Sequence, residues 1–61
     1  MERTYFEMYP YTGLTGTVYI PYVENGKWYI QENIPVSFLF FVYLCNISDE
    51  EATLLKLTYG A

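Results

Sequence analysis

The hydrophobic positions of this chain are concentrated in one run, Pro35 to Ile47, which reads PVSFLFFVYLCNI and contains no charged residue. Its only polar side chains belong to Ser37 and Asn46. As a helix this run would be apolar on every side, and as a strand it would have to be covered on both faces. A chain of 61 residues is too small to supply that cover. The pattern therefore predicts a partner, most economically a second copy of the chain.

Two β-rich segments, 17–23 and 27–32, precede the apolar run and are separated by a turn sequence that contains Asn25-Gly26. Their β-branched and aromatic residues suit a pleated, half-buried surface. Asn-Gly favours a type I′ turn, because both central positions need a positive φ. The pattern predicts a β-hairpin from about residue 17 to residue 32.

Alternation along this hairpin places Trp28 and Ile30 on one face and Tyr29 and Gln31 on the other. Pro21 has no backbone N–H to give to a neighbouring strand, so its side of the first strand is predicted to be a sheet edge.

The residues of the apolar run do not decide between a helix and a strand. Valine and the aromatic residues favour a strand, whereas the flanks favour a helix. Pro35 ends the preceding strand, Ser37 is a suitable N-cap, and Asn46 tolerates the left-handed conformation that closes a helix.

The last segment also carries two signals. Ser48 to Glu51 has the spacing of a helix capping box, with acidic residues at the start. Leu55, Leu57 and Tyr59 recur at period two, which is typical of a strand. We expect a helical turn at 48–52 followed by a strand at 53–59; a helix that continues to Gly60 is the alternative.

The length predicts a single domain, 1–61, in which 1–16 form an extended arm and loop broken by Pro10, Gly13 and Gly16. So small a core needs additional stabilisation. With one cysteine and no histidine, neither a disulfide nor a structural zinc site can provide it. Oligomerisation is the remaining way to stabilise the fold.

Seven acidic residues against three basic ones give a net charge of −4. This excludes nucleic-acid binding through clustered lysine and arginine, and it favours attraction to a basic protein surface. The apolar run is shorter than the roughly 20 residues that cross a bilayer, and no signal-peptide pattern is present. We expect a cytoplasmic protein that is not membrane-bound. No histidine base, paired carboxylates or phosphate-binding glycine loop is present, so neither an enzyme nor a cofactor or metal site is predicted.

Several short motifs resemble the small phage-type inhibitors of uracil-DNA glycosylase, over roughly residues 17 to 59. They are Asn25-Gly26-Lys27 followed by Tyr29, an apolar stretch with Phe40, Val42 and Asn46, then Asp49-Glu50 and Leu54-Leu55-Lys56-Leu57.

The resemblance implies an α+β fold of β-β-α-β order: a three-stranded antiparallel sheet with one apolar helix, in an intertwined or face-packed homodimer. It makes the apolar run the helix and 53–59 the third strand. It also implies inhibition by DNA mimicry, in which an acidic rim and an apolar pocket capture the apolar side chain that the glycosylase inserts into DNA.

The family places an acidic residue and a tyrosine on the helix and an acid on the second strand. The matching positions here are Phe41, Leu44 and Gln31, and Tyr43 and Glu32 are neighbouring substitutes. The residues expected to bind the partner are Glu24, Tyr29, Gln31, Glu32, Phe38, Phe41, Val42, Leu44, Cys45 and Asp49.

Two other functions fit the same composition. The first is a DNA-mimic inhibitor of another nucleic-acid enzyme, such as a restriction or CRISPR nuclease. The second is a structural assembly module whose apolar segment docks into a larger complex.

Overall fold

The computed structural model describes residues 2–60 and shows an α+β fold with two antiparallel sheets and two helices. Residues 1 and 61, the outermost positions of the expected domain, lie outside the described residues. The first sheet has the strand order β1-β4-β5-β6, and the second pairs β2 with β3. The elements are β1 (Thr4–Tyr5), β2 (Tyr11–Thr12), β3 (Val18–Tyr19), β4 (Tyr22–Glu24), β5 (Lys27–Gln31), β6 (Ile34–Val36), α1 (Phe38–Leu44) and α2 (Asp49–Tyr59).

The predicted type I′ turn is confirmed at the centre of the β4–β5 hairpin. Asn25 and Gly26 have φ values of 54° and 74°, so both central residues adopt the positive φ that this turn requires. The hairpin is shorter than predicted, because the residues before Pro21 leave the first sheet and form β3, which pairs with β2.

The expectation of a sheet edge beside Pro21 is wrong. β1 pairs with β4 on that side, with Tyr5 opposite Tyr22, and Pro21 itself is buried. The N–H of Phe6 donates to the carbonyl of Pro21 at 2.9 Å. The N-terminal segment thus pairs through the carbonyl that Pro21 retains, and the missing N–H of this proline does not prevent pairing.

The apolar run divides into an edge strand and a helix. Pro35 lies within β6, an edge strand of the sheet, where a missing donor is tolerated. The helix α1 then begins after Ser37, whose hydroxyl accepts the N–H of Phe40 at 3.1 Å. The N-cap prediction is confirmed, and α1 itself shows that the helical alternative is correct for most of the run.

α1 ends in a Schellman motif, and the left-handed conformation predicted for Asn46 is confirmed. Asn46 has a φ of 55°, and its N–H donates to the carbonyl of Tyr43 at 3.3 Å. The N–H of Ile47 donates to the carbonyl of Val42 at 3.1 Å. These two bonds satisfy carbonyls that a helix end otherwise leaves unpaired.

The expected strand at 53–59 is wrong, because this segment is the greater part of α2. Ser48 caps the helix by accepting the N–H of Glu51 at 3.3 Å, and Gly60 is the C-cap. Leu55 and Tyr59 are one helical turn apart and pack on the core, whereas Leu57 is 77% exposed. The α+β class is therefore correct, but the three-stranded sheet with a single helix is not.

The core lies between the helices and the sheet face that carries Val23, Trp28 and Ile30. Phe41 of α1 is completely buried at its centre, with its ring centroid 4.9 Å from that of Trp28 and 5.7 Å from that of Phe6. The Phe6 ring also makes an edge-on contact with Tyr59, at 5.5 Å. These aromatic contacts join the sheet to both helices around one small core.

Candidate functional site

An open groove of about 390 Å³ runs between α1 and α2. Its walls are largely apolar, and two side chains of opposite charge, Asp49 and Lys56, lie on its α2 side. The lining residues are Phe38, Leu39, Val42, Asp49, Ala52, Thr53, Lys56 and Leu57.

Helical periodicity accounts for which residues form the groove. Phe41 points into the core from α1, and Leu55 does so from α2. Val42 follows Phe41 by about 100° around its helix, and Lys56 follows Leu55 by the same angle. Val42 and Lys56 therefore lie at the edge of the core rather than inside it, and they flank the groove between the helices.

Two charged side chains bound the α2 wall. Asp49 is in the first turn of α2 and Lys56 is in the last, about two helical turns further along on the same side. The Lys56 ammonium lies 5.1 Å from the centroid of the Phe38 ring, which is a cation–π distance. The groove is therefore acidic at one end of the α2 wall and basic at the other.

The two helices that form the groove carry several large exposed hydrophobic side chains. Leu39 and Tyr43 on α1 and Leu57 on α2 are 77–78% exposed. Phe40 and Leu54 are about half exposed, and the rings of Phe40 and Tyr43 are stacked at 6.3 Å. We call these five residues the helical patch. Several large apolar side chains exposed on neighbouring helices are typical of an interaction site.

The structure brings three of the predicted partner-binding residues together in the groove: Phe38, Val42 and Asp49. Phe41 and Cys45, in contrast, are core residues and present no surface to a partner in this fold. The reason is the helical turn, which directs both of them to the sheet side of α1. Burial also raises the pKa of the Cys45 thiol, to about 11.

Leu44 is half-buried against the core and does not line the groove. The sequence reasoning missed five lining residues: Leu39, Ala52, Thr53, Lys56 and Leu57. The last three belong to the segment that was expected to be a strand. Extending the capping-box helix through Gly60 would have placed Lys56 one helical turn after Thr53, on one side of α2.

The remaining predicted residues, Glu24, Tyr29, Gln31 and Glu32, belong to the sheet region and line no part of the groove. Tyr29 stacks on Tyr22 with a centroid distance of 4.8 Å. Both lie on the sheet face opposite Trp28, because their strand neighbours Val23 and Trp28 face the core. The predicted site is thus divided between two surfaces.

Arg3 joins the two acidic residues of the sheet surface. Its guanidinium donates to Glu24 and to Glu32, at 2.9 Å in each case, and lies 4.5 Å above the ring of Tyr22. A hydrogen bond to Tyr5 and these contacts with Glu32 and Glu24 raise the pKa of Arg3 above its usual range. Part of the negative charge expected on this surface is therefore neutralised within the chain.

The hydroxyl of Tyr9, on the N-terminal segment, also reaches Glu51 on α2. Partial desolvation, together with a hydrogen bond to Glu51, raises the pKa of Tyr9.

Within residues 2–60 no cluster of side chains suits a metal ion, and none of the helices found there is long and apolar enough to cross a membrane.

Comparison with family models gave no match, and comparisons with curated proteins and with solved structures gave none. The resemblance to glycosylase inhibitors also implied a strand at 53–59, where the structure has α2. Functional inference therefore depends on the geometry of the groove.

Proposed function

We propose that this chain is a non-catalytic inhibitor that binds a DNA-binding enzyme of the host cytoplasm, with uracil-DNA glycosylase as the specific target. The observation that carries the proposal is the open apolar groove with a carboxylate at its edge. The chain binds its target as a protein partner, without direct contact to nucleic acid, membrane or cofactor.

The groove suits an inserted hydrophobic side chain. Phe38, Leu39 and Val42 supply one wall, and Leu57 supplies part of the other. Its volume of about 390 Å³ exceeds that of any single amino-acid side chain. Enzymes that flip a base from DNA commonly insert an apolar side chain into the duplex, and capture of that side chain blocks their DNA site.

The charge distribution favours a basic partner next to the groove. Asp49, Glu50 and Glu51 form the first turn of α2, and Asp49 lines the groove. Glu24 and Glu32 share Arg3 as a counter-ion. We therefore assign the acidic rim of the proposed site to the start of α2 rather than to the sheet. Carboxylates in this position would contact lysine and arginine residues that normally grip DNA.

A uracil-excision assay tests the proposal. Purified bacterial glycosylase is mixed with increasing amounts of this protein, and loss of excision at a near-stoichiometric ratio is expected. Continued excision at a large excess of the protein would overturn the proposal. A pull-down from host lysate then separates the glycosylase from a restriction or CRISPR nuclease as the target.

Two variants of α1 locate the binding surface. Leu39→Ser alters a groove residue and Tyr43→Ser alters a neighbour outside the groove, and the wild-type side chains are almost equally exposed, at 78% and 77%. We expect Leu39→Ser to weaken inhibition by about tenfold or more, since an apolar contact of this size is worth roughly 1.5–3 kcal/mol. Tyr43→Ser should inhibit like the wild type. Equal effects would place the target elsewhere.

The helical patch favours a second candidate function, a structural assembly module. Its five exposed side chains cover more surface than one captured side chain requires. An assembly module would form higher oligomers in isolation and leave the glycosylase active, whereas the inhibitor should do neither.

A further inference from the structure

The strands β2 and β3 form a small sheet of their own, and the turn between them carries the most exposed large hydrophobic side chain within residues 2–60. That side chain is Leu14, which is completely exposed. We call residues 11–19, the two strands with their turn, the ribbon. Leu14 belongs neither to the core nor to the lining of the groove. Its apolar surface therefore contributes nothing to the fold and is available to a partner.

Backbone hydrogen bonds fix the turn of the ribbon. The N–H of Gly13 donates to the carbonyl of Thr17 at 2.8 Å, and the N–H of Gly16 donates to the carbonyl of Gly13 at 3.0 Å. Gly16 has a φ of 88°, which glycine adopts without steric cost. At the base of the ribbon the rings of Tyr11 and Tyr19 are stacked. A turn that is already ordered loses little conformational entropy when its exposed side chain enters a pocket.

The ribbon lies in a long segment without charge. No charged residue occurs in 8–23, so all seven acidic and all three basic residues lie elsewhere in the chain. This segment gains nothing from the lysine and arginine residues with which an enzyme grips DNA. The exposed hydroxyls of Thr12, Thr15 and Thr17 suit a polar but uncharged surface around Leu14. The ribbon therefore fits an uncharged region of a target, outside its DNA-binding surface.

The base of the ribbon lies beside the acidic rim of the proposed site. Tyr9 precedes β2 by two residues, and its hydroxyl donates a hydrogen bond to Glu51 in the first turn of α2. Asp49, in the same turn, lines the groove. A target that covers the groove and the acidic turn therefore borders on the ribbon.

We propose that Leu14 is a second anchor of the inhibitor and determines which enzyme it binds, by entering an apolar pocket of the target outside the DNA-binding surface. This inference rests on the proposed function. The acidic residues attract any enzyme that has a basic DNA-binding surface, so they discriminate poorly among such enzymes. Leu14 discriminates by shape, because a target without the pocket leaves this side chain in water.

A membrane is the other environment that an exposed leucine can enter. The net charge of −4 is repelled by anionic headgroups. Stable binding to a bilayer needs more apolar area than one leucine in a turn supplies. The charge and the small apolar area therefore favour a protein pocket.

Dissociation kinetics with purified bacterial glycosylase test the anchor. Leu14→Ser should raise the dissociation rate about tenfold or more and leave the salt dependence of association unchanged, because apolar area is lost and no charge is altered. Leu14→Met retains an apolar side chain of similar volume and should dissociate almost like the wild type. Leu54→Ser is the matched control, since it makes the same change at an exposed leucine outside the ribbon and the groove lining.

Circular dichroism checks the fold of each variant, which substitution of an exposed side chain should preserve. Equal dissociation rates for Leu14→Ser and Leu54→Ser overturn the anchor and leave the inhibition intact. A changed salt dependence for Leu14→Ser would place the contact within the basic surface and overturn its proposed location. Sedimentation of the wild type, but not of Leu14→Ser, with phosphatidylcholine vesicles would assign Leu14 to a membrane instead. If the wild type does not inhibit excision, the proposed function fails and the anchor fails with it.

Discussion

The ammonium of Lys56 lies 5.1 Å from the centroid of the Phe38 ring and so joins the last turn of α2 to the first turn of α1. This contact crosses the groove between the helices. It holds a cation over an otherwise apolar wall, at the end of the α2 wall opposite Asp49. The proposed capture of a partner side chain would take place between these two charges.

Truncation of Phe41 should destabilise the protein far more than truncation of its neighbour Phe40. Phe41 is completely buried against Trp28, whereas Phe40 is 49% exposed. We expect Phe41→Ala to lower the free energy of unfolding by about 3–5 kcal/mol, and Phe40→Ala by much less. Urea denaturation measures both values. Comparable losses would show that α1 does not present Phe41 to the core.

Removal of the N-cap of α2 should distinguish a helix from a strand in the last segment. The Ser48 hydroxyl accepts the N–H of Glu51 at 3.3 Å. Ser48→Ala should lower the free energy of unfolding by about 1 kcal/mol, while Ser48→Asp, which retains an acceptor, should be close to the wild type. Thermal unfolding followed by circular dichroism measures the change. If the two variants are equally stable, the cap does not form.

The stability of the protein should fall between about pH 9 and pH 11. The Cys45 thiol ionises near its ordinary pKa of 9.0 in the unfolded chain, whereas burial raises its pKa to about 11 in the folded protein. Between these values the unfolded state has lost a proton that the folded state retains, so rising pH favours unfolding. Below pH 9 this contribution to stability is fully present.

The variant Cys45→Ala isolates the contribution of the thiol, because the two proteins differ at that side chain alone. Urea denaturation at several pH values should show a smaller alkaline loss of stability in Cys45→Ala than in the wild type. Parallel pH profiles for the two proteins would contradict burial of the thiol.

Charge reversal on the two predicted surfaces should show which of them meets a basic target. Asp49 lines the groove, whereas Glu32 is ion-paired with Arg3 in the sheet region. Asp49→Lys should slow association with the glycosylase and reduce its dependence on salt, and Glu32→Lys should have a smaller effect. Stopped-flow measurements at two salt concentrations provide the comparison. The reverse order would assign the target to the sheet surface.

Local signals in the sequence were sufficient wherever a short segment determines its own conformation. Asn25 and Gly26 form the predicted turn because few other residue pairs accept two consecutive positive φ values. Ser37 begins the apolar helix and Asn46 closes it as expected, since caps depend on hydrogen bonds to adjacent backbone groups.

The candidate site was less accessible to sequence reasoning. Phe38, Phe41 and Val42 are all among the residues predicted to bind the partner, but only the position of the helix relative to the sheet decides that Phe41 is buried and that Phe38 and Val42 line the groove. The strand acids Glu24 and Glu32 were expected on an acidic rim, and their pairing with Arg3 connects residues far apart in the chain.

The sequence by itself determined the turn, the helix caps, the excess of apolar surface and the acidic charge, because each depends on neighbouring residues or on composition. Only the tertiary structure decided that 53–59 is helical. Leu55, Leu57 and Tyr59 together fit a period of two, whereas Leu55 and Tyr59 alone fit one turn of a helix, and the choice depends on which of the three find a core to pack against. Leu55 and Tyr59 pack on that core and Leu57 does not, and this difference creates the α2 wall of the groove.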